Sequence, residues 1–188
     1  MSAKLYARGA APEPGVMVAT FHRWIVAQSF AGHTWLDVAD YNHVKGGPGV
    51  MLIGIEADVS IDMADGAWGV VYTRKQAWSG SPDLTARLRA TMREAVRCAA
   101  MLAADPALAG RMDFATDRIR VRLNDRLAAP NNEETLGRMQ PALLEAGERV
   151  WGDGVTIEHH PSPGALFEAV VIGGRAIAIE AMQRQLEG

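Results

Sequence analysis

Apolar and polar positions change period several times along this chain, and each change predicts an element. Residues 4 to 9, KLYARG, read as a short edge strand, after which Pro12, Pro14 and Gly15 break the chain. In the next segment Met17, Phe21, Trp24, Ile25 and Gln28 fall on one helical face that is almost wholly apolar, and Gly32 closes it. TWLDVADY alternates, with Leu36 and Val38 on one side and Asp37 and Ala39 on the other, which predicts a half-buried strand. Gly46-Gly47-Pro48-Gly49 then forms a turn, with Gly47 and Gly49 expected to supply unusual backbone angles. The apolar run VMLIGIEADVSID reads as the returning strand, and Asp65-Gly66 predicts a further hairpin into AWGVVYTRK.

The middle of the chain is helical. Ser81-Pro82-Asp83 predicts a start with serine as the cap and proline in the first turn. A stripe of Leu84, Leu88, Met92, Ala95, Cys98 or Ala99, and Leu102 carries the helix to Asp105. DRIRVRLND alternates again, with Ile119, Val121 and Leu123 on one face and Arg118, Arg120 and Arg122 on the other. A second long helix follows, with Asn132 as its cap and Pro141 as a kink or restart. VTIEHH and ALFEAVVI read as strands around Pro161-Ser162-Pro163-Gly164, and residues 176–187 read as a terminal helix.

These elements predict an α+β fold, one compact domain over residues 1–188 with antiparallel sheet and helices on one face. Residues 4–74 and 117–172 both read strand, helix, strand, PG turn, strand. That order suggests pseudo-duplicated βαββ halves joined by the helix 81–105.

Composition narrows the function classes. A net charge of −3 argues against general nucleic-acid binding, which needs a basic excess to displace counterions. The apolar run Val50 to Ile55 is far short of the roughly 20 residues that span a bilayer, and the N-terminus lacks the apolar core of a secretory signal. One cysteine, Cys98, excludes an internal disulfide and fits a reducing compartment. The expectation is a cytoplasmic protein with no membrane or nucleic-acid partner, one that forms a homo-oligomer and takes a small-molecule ligand.

Catalytic chemistry is thinly signalled. The GGPG turn is not a phosphate loop, because Lys45 precedes the glycines and a strand rather than a helix follows. Gly54 within an apolar run predicts a bulge or a close approach. Glu56 and Asp58 are two apart, on one face of an extended chain. Asp40, His43 and Glu56 are the acid/base candidates, on the expectation that the GGPG hairpin sets His43 beside Glu56. His160 and Arg122 are the ligand-binding candidates. His159 and His160 are adjacent on a strand and so face opposite ways. None of the five histidines has a zinc-site spacing, and a metal held by Glu158, His160 and His43 requires the two PG turns to lie near each other. No cofactor motif is present, and no Gly-x-Ser-x-Gly marks a nucleophile. Arg118, Arg120 and Arg122 form a row able to hold an anion unless aspartates neutralise it. Trp78, in a polar loop, is the tryptophan expected to be exposed.

FHRWI, DVADYNHVKGGPGVMLIGIEAD and LNDRLAAPN resemble a group of conserved bacterial proteins with no assigned activity, over Phe21 to about Phe167. Members of that group carry a histidine where Ile55 stands here, a departure that weakens histidine chemistry beside Glu56. The resemblance implies a free-standing bacterial protein and no particular ligand. Between the two classes left open, a binding or assembly protein is favoured over a small acid/base enzyme acting on a polar substrate.

Overall fold

The computed structural model describes residues 1–63, 65–80, 82–108 and 110–187. It is an α+β fold: one antiparallel sheet of nine strands with helices against one face. The strands are β1 (Ser2–Arg8), β2 (Trp35–Asp40), β3 (Val50–Gly54), β4 (Ala57–Asp62), β5 (Gly69–Arg74), β6 (Asp113–Phe114), β7 (Arg118–Arg122), β8 (Thr156–His159) and β9 (Glu168–Ile172). They run in the order β2-β3-β4-β5-β1-β7-β9-β8, with the short β6 paired to the end of β1. The helices are α1 (Pro14–Val26), α2 (Leu84–Ala104), α3 (Glu133–Trp151) and α4 (Ile179–Glu187).

Strand period and register together make the core. Leu52, Val59, Tyr72, Ala3, Val121, Ala169 and His159 are successive cross-strand partners across the sheet. Six of the seven are core members at no more than 1% exposure, and helices cover that row. α1 packs on β2 and β3, α2 on β1 and β5, and α3 on β8 and β9, while α4 closes against α2 and α3.

Several sequence expectations meet a different physical outcome. The N-terminal strand is central rather than an edge, because β1 pairs with β5 on one side and β7 on the other. The run from Val50 to Asp62 is two strands, since the chain turns at Ile55 and Glu56 and Ile53 pairs back with Asp58. Glu56 and Asp58 therefore do not share a strand face. In the GGPG loop the positive φ values belong to Gly46 (71°) and Gly49 (68°) rather than Gly47. A Cβ on Gly49 would lie 2.1 Å from the Ile61 carbonyl oxygen. Gly54 meets its expectation: a Cβ there would lie 2.6 Å from the Trp35 ring, and the facing strand is bulged between Trp35 and Asp37.

Asp83, not Ser81, caps α2, its carboxylate accepting from Ala86 N at 2.8 Å, which leaves Pro82 outside the helix; Ser81 itself is outside the described residues. Asn132 caps α3 as its sequence implies, and Pro141 lies inside that helix without ending it. The two PG turns differ in place. GGPG joins β2 to β3 at one edge of the sheet, whereas PSPG joins β8 to β9 at the other. In the second half β9 returns beside β7, while in the first it is β5, after an additional hairpin, that returns beside β1.

Candidate functional site

The face of the sheet opposite the helices mixes polar and apolar positions. Met51, Ser60, Val71, Lys4, Arg120, Val170 and Glu158 are successive partners across it. At its centre the β4–β5 turn folds over Lys4. Asp65 accepts from Lys4 Nζ at 2.5 Å and from Arg120 Nη1 at 2.6 Å, and the Ala67 carbonyl accepts from Lys4 at 2.6 Å. Asp62 takes the other guanidinium nitrogen of Arg120 at 3.2 Å. Lys4 and Arg120 are thus buried as ions with carboxylate partners on both sides. Burial alone would raise the Asp65 carboxyl, but the Lys4 hydrogen bond and the Arg120 charge outweigh it and hold it below the ordinary range. Tyr6, half-buried beside Asp65, has its phenol pushed up to about 12, chiefly by that burial.

The arginine row of β7 is therefore already neutralised. Arg118 donates to Asp117 at 2.9 Å, and Arg122 donates to Glu168 through Nη2 at 2.5 Å and Nε at 2.8 Å. It is not the bare anion site its sequence suggests.

Beyond Glu168 this face opens into a cavity of about 340 Å³. The structure brings both sequence-derived ligand candidates into it: Arg122 and His160 line it with Glu158, Ser162, Glu168 and Asn131. Strand alternation explains the sorting. Glu158 and His160 project to the open face, while His159 turns inward, stacks on Phe167 and pairs with Asn131 Oδ1 at 2.8 Å. Asn131 Nδ2 in turn donates to the His160 carbonyl at 3.1 Å, which ties the α3 entry loop to the end of β8. Among the described residues the side chains of Glu158, His160 and Ser162 make no hydrogen bond, and all three line this cavity.

Of the acid/base candidates, Asp40 and His43 are near enough for the histidine's charge to act on the carboxylate, but Glu56 does not join them. His43 lies in the β2–β3 loop and Glu56 at the opposite end of β3, a strand of roughly 13 Å at about 3.3 Å per residue. The register that pairs Asp40 with Val50 puts the far end of the hairpin, not His43, beside Glu56. Glu56 instead accepts from Thr34 N at 2.7 Å, which lowers its carboxyl. Asp40 accepts from Asn42 N at 2.9 Å and is lowered by the backbone and side chain of that residue. A metal shared by His43, Glu158 and His160 is ruled out by placement, because β2 and β8 are opposite edges of the sheet. Among the described residues no group of three His, Cys, Asp or Glu side chains is placed to hold a metal ion.

His33 is the one histidine whose surroundings no local pattern announced. Its Nε2 lies 2.9 Å from the Tyr72 hydroxyl, and its ring stacks on Trp35 at 5.2 Å and meets Phe30 edge-on at 5.5 Å. Burial lowers its pKa. These partners come from α1's exit loop, β2 and β5, so only tertiary pairing joins them. Cys98 is fully buried, and burial pushes its thiol well up. Trp24, Trp35, Trp68 and Trp151 are core, while Trp78 is half-exposed beneath the Arg74 guanidinium, 4.2 Å from its ring.

Fold and groove together define the class: an antiparallel α+β protein with a polar groove at one end of its open sheet face. No family model, curated protein or solved structure matches the chain. Among the described residues no helix is long and apolar enough to cross a membrane.

Proposed function

We propose that this chain is a binding protein that holds a small polar molecule bearing an ammonium group in the groove at the β8–β9 end of the sheet, and that it works in the cytoplasm. One observation carries the reading: Glu158, His160 and Ser162, three exposed polar side chains, line one cavity and, among the described residues, have no protein hydrogen-bond partner to displace. Glu158 is the acceptor for the ammonium, with His160 and Ser162 beside it. The Arg122–Glu168 pair is a fixed wall, since each charge already satisfies the other. No hydrogen bond joins His160 to Ser162 or Glu158, so recognition fits this groove better than an activated nucleophile does.

The test is a two-dimensional NMR titration with amino acids and small polyamines. Saturable shifts centred on residues 158–162, lost in Glu158→Gln while the melting temperature is unchanged, are the expected result. Shifts that never saturate, or that survive Glu158→Gln and His160→Gln together, overturn it.

Assembly into a homo-oligomer is a second reading, supported by the free side of edge strand β2. Leu36 is 58% exposed there, and the neighbouring Ile55 is 43% exposed. Light scattering of the wild type and of Leu36→Lys tests it; a wild-type monomer at micromolar concentration rejects it.

A further inference from the structure

The geometry points to a second, anionic ligand site separated from the β8–β9 groove by the end of β7, where Arg122 lines the groove and Leu123 the cleft: a cleft for an organic phosphate whose apolar or planar body lies beside Trp78. The cleft runs between the end of β5, the start of α2 and the first turns of α3. It consists of two cavities of about 550 and 510 Å³ that share Arg74, Lys75 and Arg87.

Its charge is lopsided. Arg74, Lys75, Arg87 and Arg138 line it, against a single carboxylate, that of Asp125. Among the described residues only Lys75 of these four has an acidic partner, Asp58 at 2.8 Å. The guanidinium groups are held by neutral oxygens instead. Arg74 Nε donates to the Gln76 carbonyl at 2.9 Å, and Arg138 Nη2 donates to the Ala128 carbonyl at 3.2 Å and the Thr135 hydroxyl at 3.3 Å. Arg87 Nε reaches only the Asp83 carbonyl, at 3.4 Å. Among the described residues no carboxylate neutralises Arg74, Arg87 or Arg138. On β7 the reverse holds: Arg118, Arg120 and Arg122 each have a carboxylate at 3.2 Å or less. Carbonyl partners orient a guanidinium without cancelling its charge, and its remaining donors suit the oxygens of a phosphoryl group.

The helix amides are not the donors here, since Asp83 already occupies the N-terminus of α2. Asp125 is likewise engaged, its Oδ1 accepting from Leu127 N and Ala128 N, each at 3.0 Å. The floor supplies the second half of the recognition. Leu84 and Leu123 are partly buried apolar side chains packed on the core, and Met139 lies beneath them at 3% exposure. Trp78 forms one wall, held by the Arg74 guanidinium over its ring and half-exposed toward the cleft. A bare inorganic anion leaves this floor and wall unused. A phosphoryl head joined to a planar or apolar body uses both.

The test is calorimetric titration of the full chain with phenyl phosphate, adenosine monophosphate, inorganic phosphate, benzoate and adenosine. Phenyl phosphate and adenosine monophosphate are expected to bind more tightly than inorganic phosphate or benzoate, with adenosine silent and affinity falling as salt rises. The exposed-side-chain variants Arg87→Gln and Arg138→Gln should each weaken phenyl phosphate about tenfold, the loss expected for one charged hydrogen-bonding partner. Trp78→Leu should bring phenyl phosphate toward the affinity of inorganic phosphate. Arg111→Gln, outside the cleft, should change nothing. Melting curves of each variant separate lost binding from lost folding. No binding at millimolar concentration overturns the proposal, as does affinity indifferent to Arg87→Gln and Arg138→Gln. So does inorganic phosphate or benzoate matching phenyl phosphate. A single-stranded oligonucleotide binding more tightly than adenosine monophosphate would make the cleft a nucleic-acid surface and overturns it too.

Discussion

Arg120 of β7 donates to Asp65 of the β4–β5 turn at 2.6 Å, across the strand β1 that separates their sheet neighbourhoods. With Lys4 and Asp62 the pair forms a charged knot in which Lys4 and Arg120 are nearly inaccessible to water. Removing one member strands the charge of another where solvent cannot compensate it. Arg120→Met is therefore expected to destabilise the protein by about 3 kcal/mol. Replacing Lys4, Asp62, Asp65 and Arg120 together by apolar residues should cost much less. Urea unfolding of the two variants checks the pair of expectations, and equal losses would contradict them.

His33 makes stability depend on pH. Burial depresses its folded pKa below its ordinary value of 6.5, so the unfolded chain takes up this proton first as the solution is acidified. The stability that goes with the neutral ring is whole above about pH 6.5 and is lost as pH falls from there through the folded pKa. Melting temperature measured between about pH 5 and 8 should show this decline, and His33→Phe should flatten it. An unchanged slope in the variant would assign the decline to other groups.

Gly69 opens β5 opposite Tyr6, where a Cβ would lie 2.2 Å from the Leu5 carbonyl oxygen and 3.0 Å from Lys4 Cε. Backbone cannot yield as a flexible side chain does, so Gly69→Ala is expected to destabilise by about 2 kcal/mol or more. It should also loosen the turn that carries Asp65. Denaturant unfolding and amide exchange across 63–68 measure the two effects. Gly66→Ala, where a Cβ would meet nothing within 4 Å but φ is 80°, isolates the cost of backbone strain alone.

Element type and the core face were legible because they are written in periods of two and about 3.6. Val59 and Val121 alternate with polar neighbours, and the α2 stripe from Leu88 to Leu102 is buried throughout. Alternation also sorted His159 from His160 and put the β7 arginines on one face before any partner was known. Cys98 and Trp78 followed from the same logic, one on a buried stripe and one in a polar loop. Strand order was not legible, because periodicity says which way a side chain faces and nothing about which strand lies beside it. Hence β1, which reads as an edge, is central, and His43 and Glu56, which look like hairpin neighbours, lie at opposite ends of β3. The turn at Ile55 and Glu56 inside an apolar run was hidden for a related reason: its two central residues are neither proline nor glycine, and only pairing of Ile53 with Asp58 reveals it. The charged knot, the His33 aromatic box and the cleft of arginines held by neutral oxygens each draw on segments far apart in the chain. Local pattern determined what each segment is and which face it buries. Long-range pairing, set by packing and hydrogen bonding between those segments, decided which charges meet a partner and which remain free for a ligand.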